Sequence, residues 1–343
     1  MAPNFTLKSN SMPMNSFTDP AILFFLFGLL AGLFKSNLEI PTPISRFLSL
    51  YLLMALGLKG GFALAKTGFS NDVVVSLACA VLLAIFIPLI AYQVLQRFIS
   101  KFDAAAVAAT YGSVSAVTFI TATQILDSQQ IEFGGHMAAA MALMESPAII
   151  IAIIFANRLR QGQVASHGNQ TLSSTQPSAR LSITQLLHES FTDGAQLLLL
   201  GSLLIGMISG EAGQMVMRPF SVDLFKGLLA FFLLDMGLLA AKNVPGLLRQ
   251  SPLLFVFGIV APLFHASLAL GLAKLCGLPT GDAILLMVLA SSASYIAVPA
   301  VVRYAIPEAN PTLYVGLSLG LTFPLNLLFG IPLYVQVANS VYA

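Results

Sequence analysis

The sequence predicts an all-α integral membrane protein with about ten transmembrane helices. Two observations carry this prediction: 57% of the residues are hydrophobic, and only 9% are charged. Soluble domains carry about 25% charged residues, so a soluble protein of this composition would have too few polar groups to cover its surface. Because hydrocarbon offers backbone groups no water, we expect every span to be helical. The net charge of +2 argues against a nucleic-acid-binding surface.

Apolar stretches of spanning length occur along nearly the whole chain. They cover approximately residues 20–34, 42–65, 73–96, 104–126, 134–156, 189–209, 222–241, 252–276, 282–304 and 310–336. A polar segment at 157–188, rich in Gly, Ser, Thr and Gln, is typical of a linker. The sequence therefore predicts two five-helix halves, 1–156 and 189–343. An odd number of spans in each half gives the two halves opposite orientations in the membrane.

The two halves share a pattern of residues. The sets with equal spacing are Asp103, Ser113 and Ser115 in the first half, and Asp282, Ser292 and Ser294 in the second. Pro88 and Pro147 also find counterparts in the same order, at Pro262 and Pro324. Four ordered matches, counting the similar segments 55–61 and 234–240, favour two inverted repeats over chance. Inverted repeats are typical of secondary transporters, which bind their substrates near the membrane midplane between the repeats.

Hydroxyl-rich segments at 110–118 and 291–295 interrupt two otherwise apolar spans at matching positions. If both helices break there, their half-helix N-termini direct partial positive charge at one site, which suits a small anion. Carbonyl and hydroxyl oxygens freed by the same breaks suit sodium. The alternative is that these small residues only tighten helix packing.

The intramembrane charges that stand out by position are Lys59, Glu145 and Asp235, since each lies at least six residues from the nearer end of its predicted span. A carboxylate at a helix centre costs about 3 kcal/mol on insertion scales, so each of these groups indicates a function or a partner. The repeat comparison makes Lys59 a candidate partner of Asp235, and a structural ion pair is the alternative to a functional role. Glu145 is a candidate cation ligand, proton carrier or buried hydrogen-bonded acid.

The distribution of Lys and Arg predicts the orientation. The linker side of the predicted spans carries the larger share of these residues, and this side is cytoplasmic by the positive-inside rule. Both termini are then outside the cytoplasm, and the protein is expected in the inner (plasma) membrane.

Five segments together resemble a known family. They are GLKGGFAL (57–64), YGSVSAVTF (111–119), ESPAIIIAIIFAN (145–157), IVAPLFH (259–265) and SSASYIAVPAVVRYAIPEANPT (291–312). In these segments the chain resembles the sodium-dependent bicarbonate transporter family of permeases. The resemblance implies a core domain (73–156 and 252–343) that moves against a gate domain (20–72 and 189–251). It also implies a homotrimer and a possible PII-like regulator that docks on the linker from the cytoplasm.

The resemblance and the residue pattern together give the expected binding groups. The substrate set is Gly112, Ser113, Ser115, Ser292, Ser294 and Tyr295, and the cation set is Thr118, Ser294 and Glu145. Sodium is the expected coupling ion, and we expect no other cofactor. The chain departs from cyanobacterial members of the family, since Tyr295, Ala297 and Val298 stand where those members carry Asp, Ser and Gly, and Val117 replaces a Ser.

The predicted function is therefore sodium-dependent uptake of bicarbonate or a similar small anion by alternating access. A proton- or sodium-coupled carrier of another small organic anion is the first alternative, because a phenol and fewer hydroxyls suit a less hydrated anion. A membrane sensor or structural protein is the second. An enzyme is not expected, because the intramembrane His265 has no evident nucleophile partner in the sequence.

Overall fold

The computed structural model describes residues 18–68, 70–166 and 194–343, and within these ranges the chain forms helices and no strand. Seven helical stretches are long and apolar enough to cross a membrane. The chain is therefore a multi-pass helical membrane protein. Its fold satisfies backbone groups within each helix, as a hydrocarbon environment requires.

The helices before the predicted linker are α1 (Pro20–Leu33), α2 (Thr42–Thr67), α3 (Asn71–Leu95), α4 (Lys101–Gly112), α5 (Ala116–Ser128) and α6 (Met137–Ser166). Side-chain caps fix several of their starts. Asp19 accepts the Ala21 N–H at 2.8 Å, next to a proline at the first helical position. Ser100 accepts the Asp103 N–H at 3.1 Å and begins α4.

The helices after the linker are α7 (Gly194–Arg218), α8 (Phe225–Leu247), α9 (Pro252–Leu275), α10 (Thr280–Ser291), α11 (Ala297–Ala305) and α12 (Pro311–Tyr342). A π-helical turn at Pro219–Asp223 lies between α7 and α8, and two more, Gly316–Thr322 and Asn326–Gly330, interrupt α12. Gly210 bends α7 with a φ of +54°, a conformation that glycine adopts without a steric penalty.

The difference between seven long stretches and ten predicted spans has three sources. Helix α1 is short, with 14 residues, and α10 and α11 are each half a span. The third source is Gly194–Leu247, which counts as one stretch of 54 residues although it contains both α7 and α8. At 1.5 Å per residue this stretch is about 81 Å long, enough for two crossings of a core about 30 Å thick.

The predicted linker is partly helical. Helix α6 continues to Ser166, ten residues into the segment 157–188 that the composition assigned to the linker. The remainder of that segment lies outside the described residues.

Two helix pairs approach closely through glycines. Helix α2 packs on α7, and α1 packs on α8. A Cβ atom added at Gly61 of α2 would come within 2.7 Å of the Met207 backbone nitrogen of α7, and one at Gly206 would come within 2.6 Å of the Leu58 carbonyl oxygen. Small residues at these positions let the helix backbones touch, which is how helices associate in membranes.

The remaining helices form a second group around two broken helices, α4–α5 and α10–α11. Helix α3 packs on α4 and α6, and α9 packs correspondingly on α10 and the π-helical part of α12. The broken helices cross each other, because α5 contacts α10 and α4 contacts α11. Each half-helix is therefore supported by the opposite half of the other broken helix.

Two aspartates tie this crossing together. Asp103, in the first turn of α4, accepts the Asn310 N–H at 2.7 Å. Asp282, in the first turn of α10, accepts the Gly134 N–H at 2.6 Å. In each case the carboxylate at the start of one broken helix binds the loop that follows the other. These are the two aspartates that share a spacing pattern in the sequence.

Candidate functional site

The first break is a three-residue interruption between α4 and α5. Gly112 ends α4, Ser113 and Ser115 are extended, and Ala116 begins α5. The Ser115 hydroxyl accepts the Thr118 N–H at 3.2 Å and the Thr118 hydroxyl at 2.9 Å. Ser115 therefore serves as an N-cap in the middle of the predicted span.

The second break separates α10 from α11 over residues 292–296 and is longer than the first. Ser291 ends α10, Ser292 is extended, and Ala297 begins α11. The Ser294 hydroxyl accepts the Val298 N–H at 3.2 Å. Both helix interruptions that the hydroxyl-rich segments predicted are therefore present at these positions.

The two breaks contact each other directly. The Ser115 N–H donates to the Ser292 hydroxyl at 2.9 Å, and the Ser294 N–H donates to the Thr110 carbonyl at 2.8 Å. The Ser292 hydroxyl in turn donates to the Leu289 carbonyl at 2.9 Å. Backbone groups released by one break are thus satisfied by the other, which removes part of the cost of interrupting both helices.

A cavity of about 340 Å³ opens beside this contact. Helices α2, α6, α7 and α11 enclose it together with the two breaks. The polar residues that line it are Ser49, Ser115, Glu145, Gln196, Ser294, Tyr295 and Tyr304. The cavity lies between α2 and α7 on one side and the broken helices on the other, so it sits between the two groups of packed helices.

The first turns of α5 and α11 border the cavity through Ala116, Val117 and Ala297. Helix N-termini carry partial positive charge and unsatisfied N–H groups, so this side of the cavity favours an anion. The cavity also has a negatively charged group, because the Glu145 carboxylate on α6 lines it. This carboxylate accepts a hydrogen bond from the Gln196 amide on α7. The same space therefore offers groups for an anion and an oxygen ligand for a cation.

Tyr295 stands at the centre of the second break and is almost buried, at 8% exposure. Its hydroxyl donates to the Met236 sulfur of α8 at 3.6 Å and interacts with the Ser115 side chain. Its ring packs 5.2 Å from the Phe323 ring, centroid to centroid. The phenol thus connects both breaks with α8 and forms part of the cavity wall.

The structure separates the predicted site residues into two layers. Ser115, Glu145, Ser294 and Tyr295 line the cavity, whereas the others lie behind it. The residues behind it are Gly112, Ser113, Thr118 and Ser292, all buried.

Two residues of the rear layer have clear surroundings. Gly112 packs on Pro88 of α3, where an added Cβ would meet the proline ring at 2.6 Å. Ser113 is different, because its buried hydroxyl has no hydrogen-bond partner among the described residues. A buried hydroxyl of this kind costs about 1–3 kcal/mol unless something binds it.

The predicted pairing of Lys59 with Asp235 is wrong. The Lys59 ammonium lies 3.3 Å from Asp127 at the end of α5, and Asp235 accepts a hydrogen bond from Ser45 of α2. Lys59 lies on α2 and Asp235 on α8, and similarity between the two segments does not bring these side chains together. Neither Lys59 nor Asp235 lines the cavity.

Sequence reasoning missed three polar residues of the cavity: Ser49, Gln196 and Tyr304. Gln196 had a usable signal, since it precedes an uninterrupted run of leucines and an amide in such a run needs a partner. Ser49 and Tyr304 carry no comparable signal, because isolated hydroxyls are common in membrane helices.

The seven apolar helical stretches, together with two broken helices that meet beside a mixed-charge cavity, define the class of the protein as a multi-pass membrane protein with the architecture of a solute transporter. The sequence profile of the Na⁺-dependent bicarbonate transporter superfamily matches residues 20–339, nearly the whole chain. The chain belongs to this superfamily. In a comparison with curated proteins, none matches.

Proposed function

We propose that this protein is a secondary active transporter that takes up bicarbonate, or a similar small anion, together with sodium by alternating access. The superfamily supports the transport of bicarbonate with sodium. One structural observation carries the proposal further: both helix breaks meet at one cavity, where two helix N-termini and a carboxylate are present together.

In this proposal the anion binds to the Ser115 and Ser294 hydroxyls and to N–H groups at the starts of α5 and α11. Ser113, Ser292 and Gly112 form the rear of the anion site, and the unpartnered Ser113 hydroxyl supports a ligand there. Sodium, as cargo, binds to oxygens of Thr118, Ser294 and Glu145 and to carbonyls freed by the breaks. Placing both charges in one space lets each ion lower the cost of burying the other.

Alternating access follows from the position of the cavity. Helices α1, α2, α7 and α8 correspond to the predicted gate, and α3 to α6 with α9 to α12 correspond to the predicted core. The cavity lies between these two groups, so a rigid displacement of the core against the gate would expose it to opposite sides in turn. In this proposal the chain forms two inverted repeats of five spans, with the breaks near the midplane. Their symmetry relates the state open to one side of the membrane to the state open to the other.

A carrier of another small organic anion, coupled to protons or sodium, is the second candidate. Its support is the size and lining of the cavity. A water occupies about 30 Å³, so a bicarbonate ion with four heavy atoms fills only part of the 340 Å³. Tyr295 and apolar neighbours such as Ile296 and Val301 suit a short carboxylate with a hydrocarbon portion.

The assembly and location are proposed from the family resemblance and the charge distribution. We propose a homotrimer in the inner (plasma) membrane with both termini outside the cytoplasm. The segment 157–188 would then be cytoplasmic and accessible to a PII-like regulator.

Uptake of radiolabelled bicarbonate into proteoliposomes tests the proposed site. We expect Ser115→Ala and Ser294→Ala each to reduce sodium-driven uptake about ten- to a hundredfold, because each removes a hydrogen bond to a charged ligand worth about 1.5–3 kcal/mol. Ser267→Ala is the matched control, since among the described residues this exposed hydroxyl bonds to the Leu263 carbonyl of its own helix and to no other group. Unchanged uptake in both site variants would contradict the assignment.

A further inference from the structure

The chain contains two cysteines, Cys79 and Cys276, and the fold brings them into contact. Their sulfur atoms lie 3.6 Å apart although the residues are separated by 197 positions in the sequence. Cys79 is on α3, and Cys276 directly follows the last residue of α9. Neither lines the cavity described above, so the proposed transport function does not account for this proximity.

The two thiols differ in accessibility. Cys79 is buried at 2% exposure, whereas Cys276 is exposed. Cys276 lies in the turn that ends α9, before Gly277 with a φ of +70°. A disulfide bond is about 2.05 Å long, so closing the 3.6 Å gap requires a movement of about 1.5 Å. A residue at a helix end can provide this movement more easily than one inside a helix.

We propose that Cys79 and Cys276 are a redox-modification site, at which an external disulfide compound oxidises the two thiols to an intramolecular disulfide between α3 and α9. The exposed Cys276 thiolate attacks one sulfur of the external disulfide, forms a mixed disulfide and releases one external thiolate. The Cys79 thiolate then attacks the Cys276 sulfur, forms the protein disulfide and releases the second external thiolate. Two protein thiols lose two electrons and two protons, and one external disulfide is reduced to two thiols.

The position of the pair fits this chemistry. Cys79 is about two turns from the start of α3 and Cys276 is at the end of α9, and in the proposed orientation both of these helix ends face away from the cytoplasm. Disulfides form and persist in such oxidising surroundings. Only this location depends on the proposed orientation, and formation of the bond does not depend on transport activity.

Thiol counting on the purified full-length protein tests the proposal. Reduced protein in detergent is treated with oxidised glutathione, denatured, and labelled with a maleimide-linked polyethylene glycol that shifts the gel band once for each free thiol. We expect the two shifts of the reduced protein to disappear, the intact mass to show loss of two hydrogens without bound glutathione, and the melting temperature to rise. Cys79→Ser is expected to trap glutathione on Cys276 instead.

A relocated cysteine gives the matched control. The double variant Cys276→Ser/Ser267→Cys keeps two cysteines but places the second at an exposed position two turns or more along α9, out of reach of Cys79. It should retain a free Cys79 thiol after oxidation. Two free thiols, or a stable mixed disulfide, in the oxidised parent protein would overturn the proposal. So would equal disulfide formation in the relocated variant.

Discussion

Ser113 and Ser292 occupy equivalent places at the two breaks but have opposite surroundings. The Ser292 hydroxyl accepts the Ser115 N–H at 2.9 Å, whereas the buried Ser113 hydroxyl has no partner among the described residues. The Ser292 hydroxyl therefore holds the two breaks together, whereas the Ser113 hydroxyl makes no such bond among the described residues. Substituting each serine in turn therefore separates loss of the contact between the breaks from loss of a hydroxyl that contributes no bond to it.

We expect Ser113→Ala to leave the melting temperature unchanged or slightly higher, because it removes an unsatisfied buried hydroxyl, while it weakens uptake. We expect Ser292→Ala to lower the free energy of unfolding by about 1–3 kcal/mol, because it leaves the Ser115 N–H unpaired. Thermal unfolding and proteoliposome uptake on the same preparations check both expectations. Equal destabilisation by the two changes would contradict this division of roles.

We expect His136 to make the stability of the protein depend on pH. It lies in the loop before α6, buried at 4% exposure, with its Nε2 atom 3.5 Å from the Asp282 carboxylate. Burial lowers the pKa of His136 below its ordinary value of 6.5, and attraction from Asp282 and Asp72 only partly opposes this effect. The unfolded chain therefore binds a proton more readily than the native protein does. His136 contributes stability that is present above pH 6.5 and is lost as the pH falls towards its folded pKa.

We accordingly expect the melting temperature to fall on acidification below pH 6.5, and the fall to be smaller in His136→Gln, which has no charge to gain. Differential scanning fluorimetry of both proteins across this pH range makes the comparison. A parent protein that becomes more stable on acidification, relative to the variant, would show that attraction from the carboxylates exceeds the effect of burial.

Among the helices, the contact between α2 and α7 depends on the absence of side chains at its glycines. Gly57 and Gly61 face α7, and an added Cβ at Gly61 would come within 2.7 Å of the Met207 nitrogen. We expect Gly61→Ala to force the helices apart and to cost about 1–3 kcal/mol, the usual cost of overpacking. Gly201→Ala is the matched control, because nothing lies within 4 Å of its added Cβ. Equal melting temperatures for the two variants would contradict the packing account.

The composition of the sequence predicted the bounds of several helices and the positions of both helix breaks. Helices α2, α3 and α9 begin and end within a few residues of the expected spans, because apolar length alone defines a membrane helix. The two breaks were also predicted, because hydroxyl-rich segments interrupt two apolar spans at matching positions. The Lys59 partner was not, because it depends on the rotation of α2 relative to α5, which no local pattern specifies. The contact between Cys79 and Cys276 was missed for the same reason.

In the whole molecule, two cavities lie along α2, one on each side of the point where the two broken helices cross. The 340 Å³ cavity reaches Ser49 and Leu53 of α2, and a second space of about 770 Å³ begins at Leu56 and includes Lys59. They are therefore separated by about one helical turn along α2. The Lys59–Asp127 ion pair, at 3.3 Å, lies in the second space and joins α2 of the proposed gate to α5 of the proposed core.

If the core moves against the gate, this contact must separate during each cycle. We expect a short bifunctional thiol crosslinker to stop uptake in Lys59→Cys/Asp127→Cys, made in a Cys79→Ser/Cys276→Ser background. The parent protein, which keeps both native cysteines, gives a contrast. Its disulfide between Cys79 and Cys276 should leave uptake intact, because α3 and α9 both belong to the proposed core. Uptake assays before and after crosslinking make the comparison, with each single cysteine variant as the control. Undiminished uptake in the crosslinked pair would contradict relative movement at this interface.

Bicarbonate uptake by the parent protein in sealed proteoliposomes, with and without an inward sodium gradient, tests sodium-coupled bicarbonate transport itself. We expect accumulation of radiolabelled bicarbonate that requires sodium and collapses when a sodium ionophore removes the gradient. Short carboxylates and an imposed proton gradient, tested in the same vesicles, identify the second candidate function. If sodium does not drive bicarbonate uptake but a carboxylate is taken up in its place, this result would contradict sodium-dependent bicarbonate transport and assign the cavity to that carboxylate.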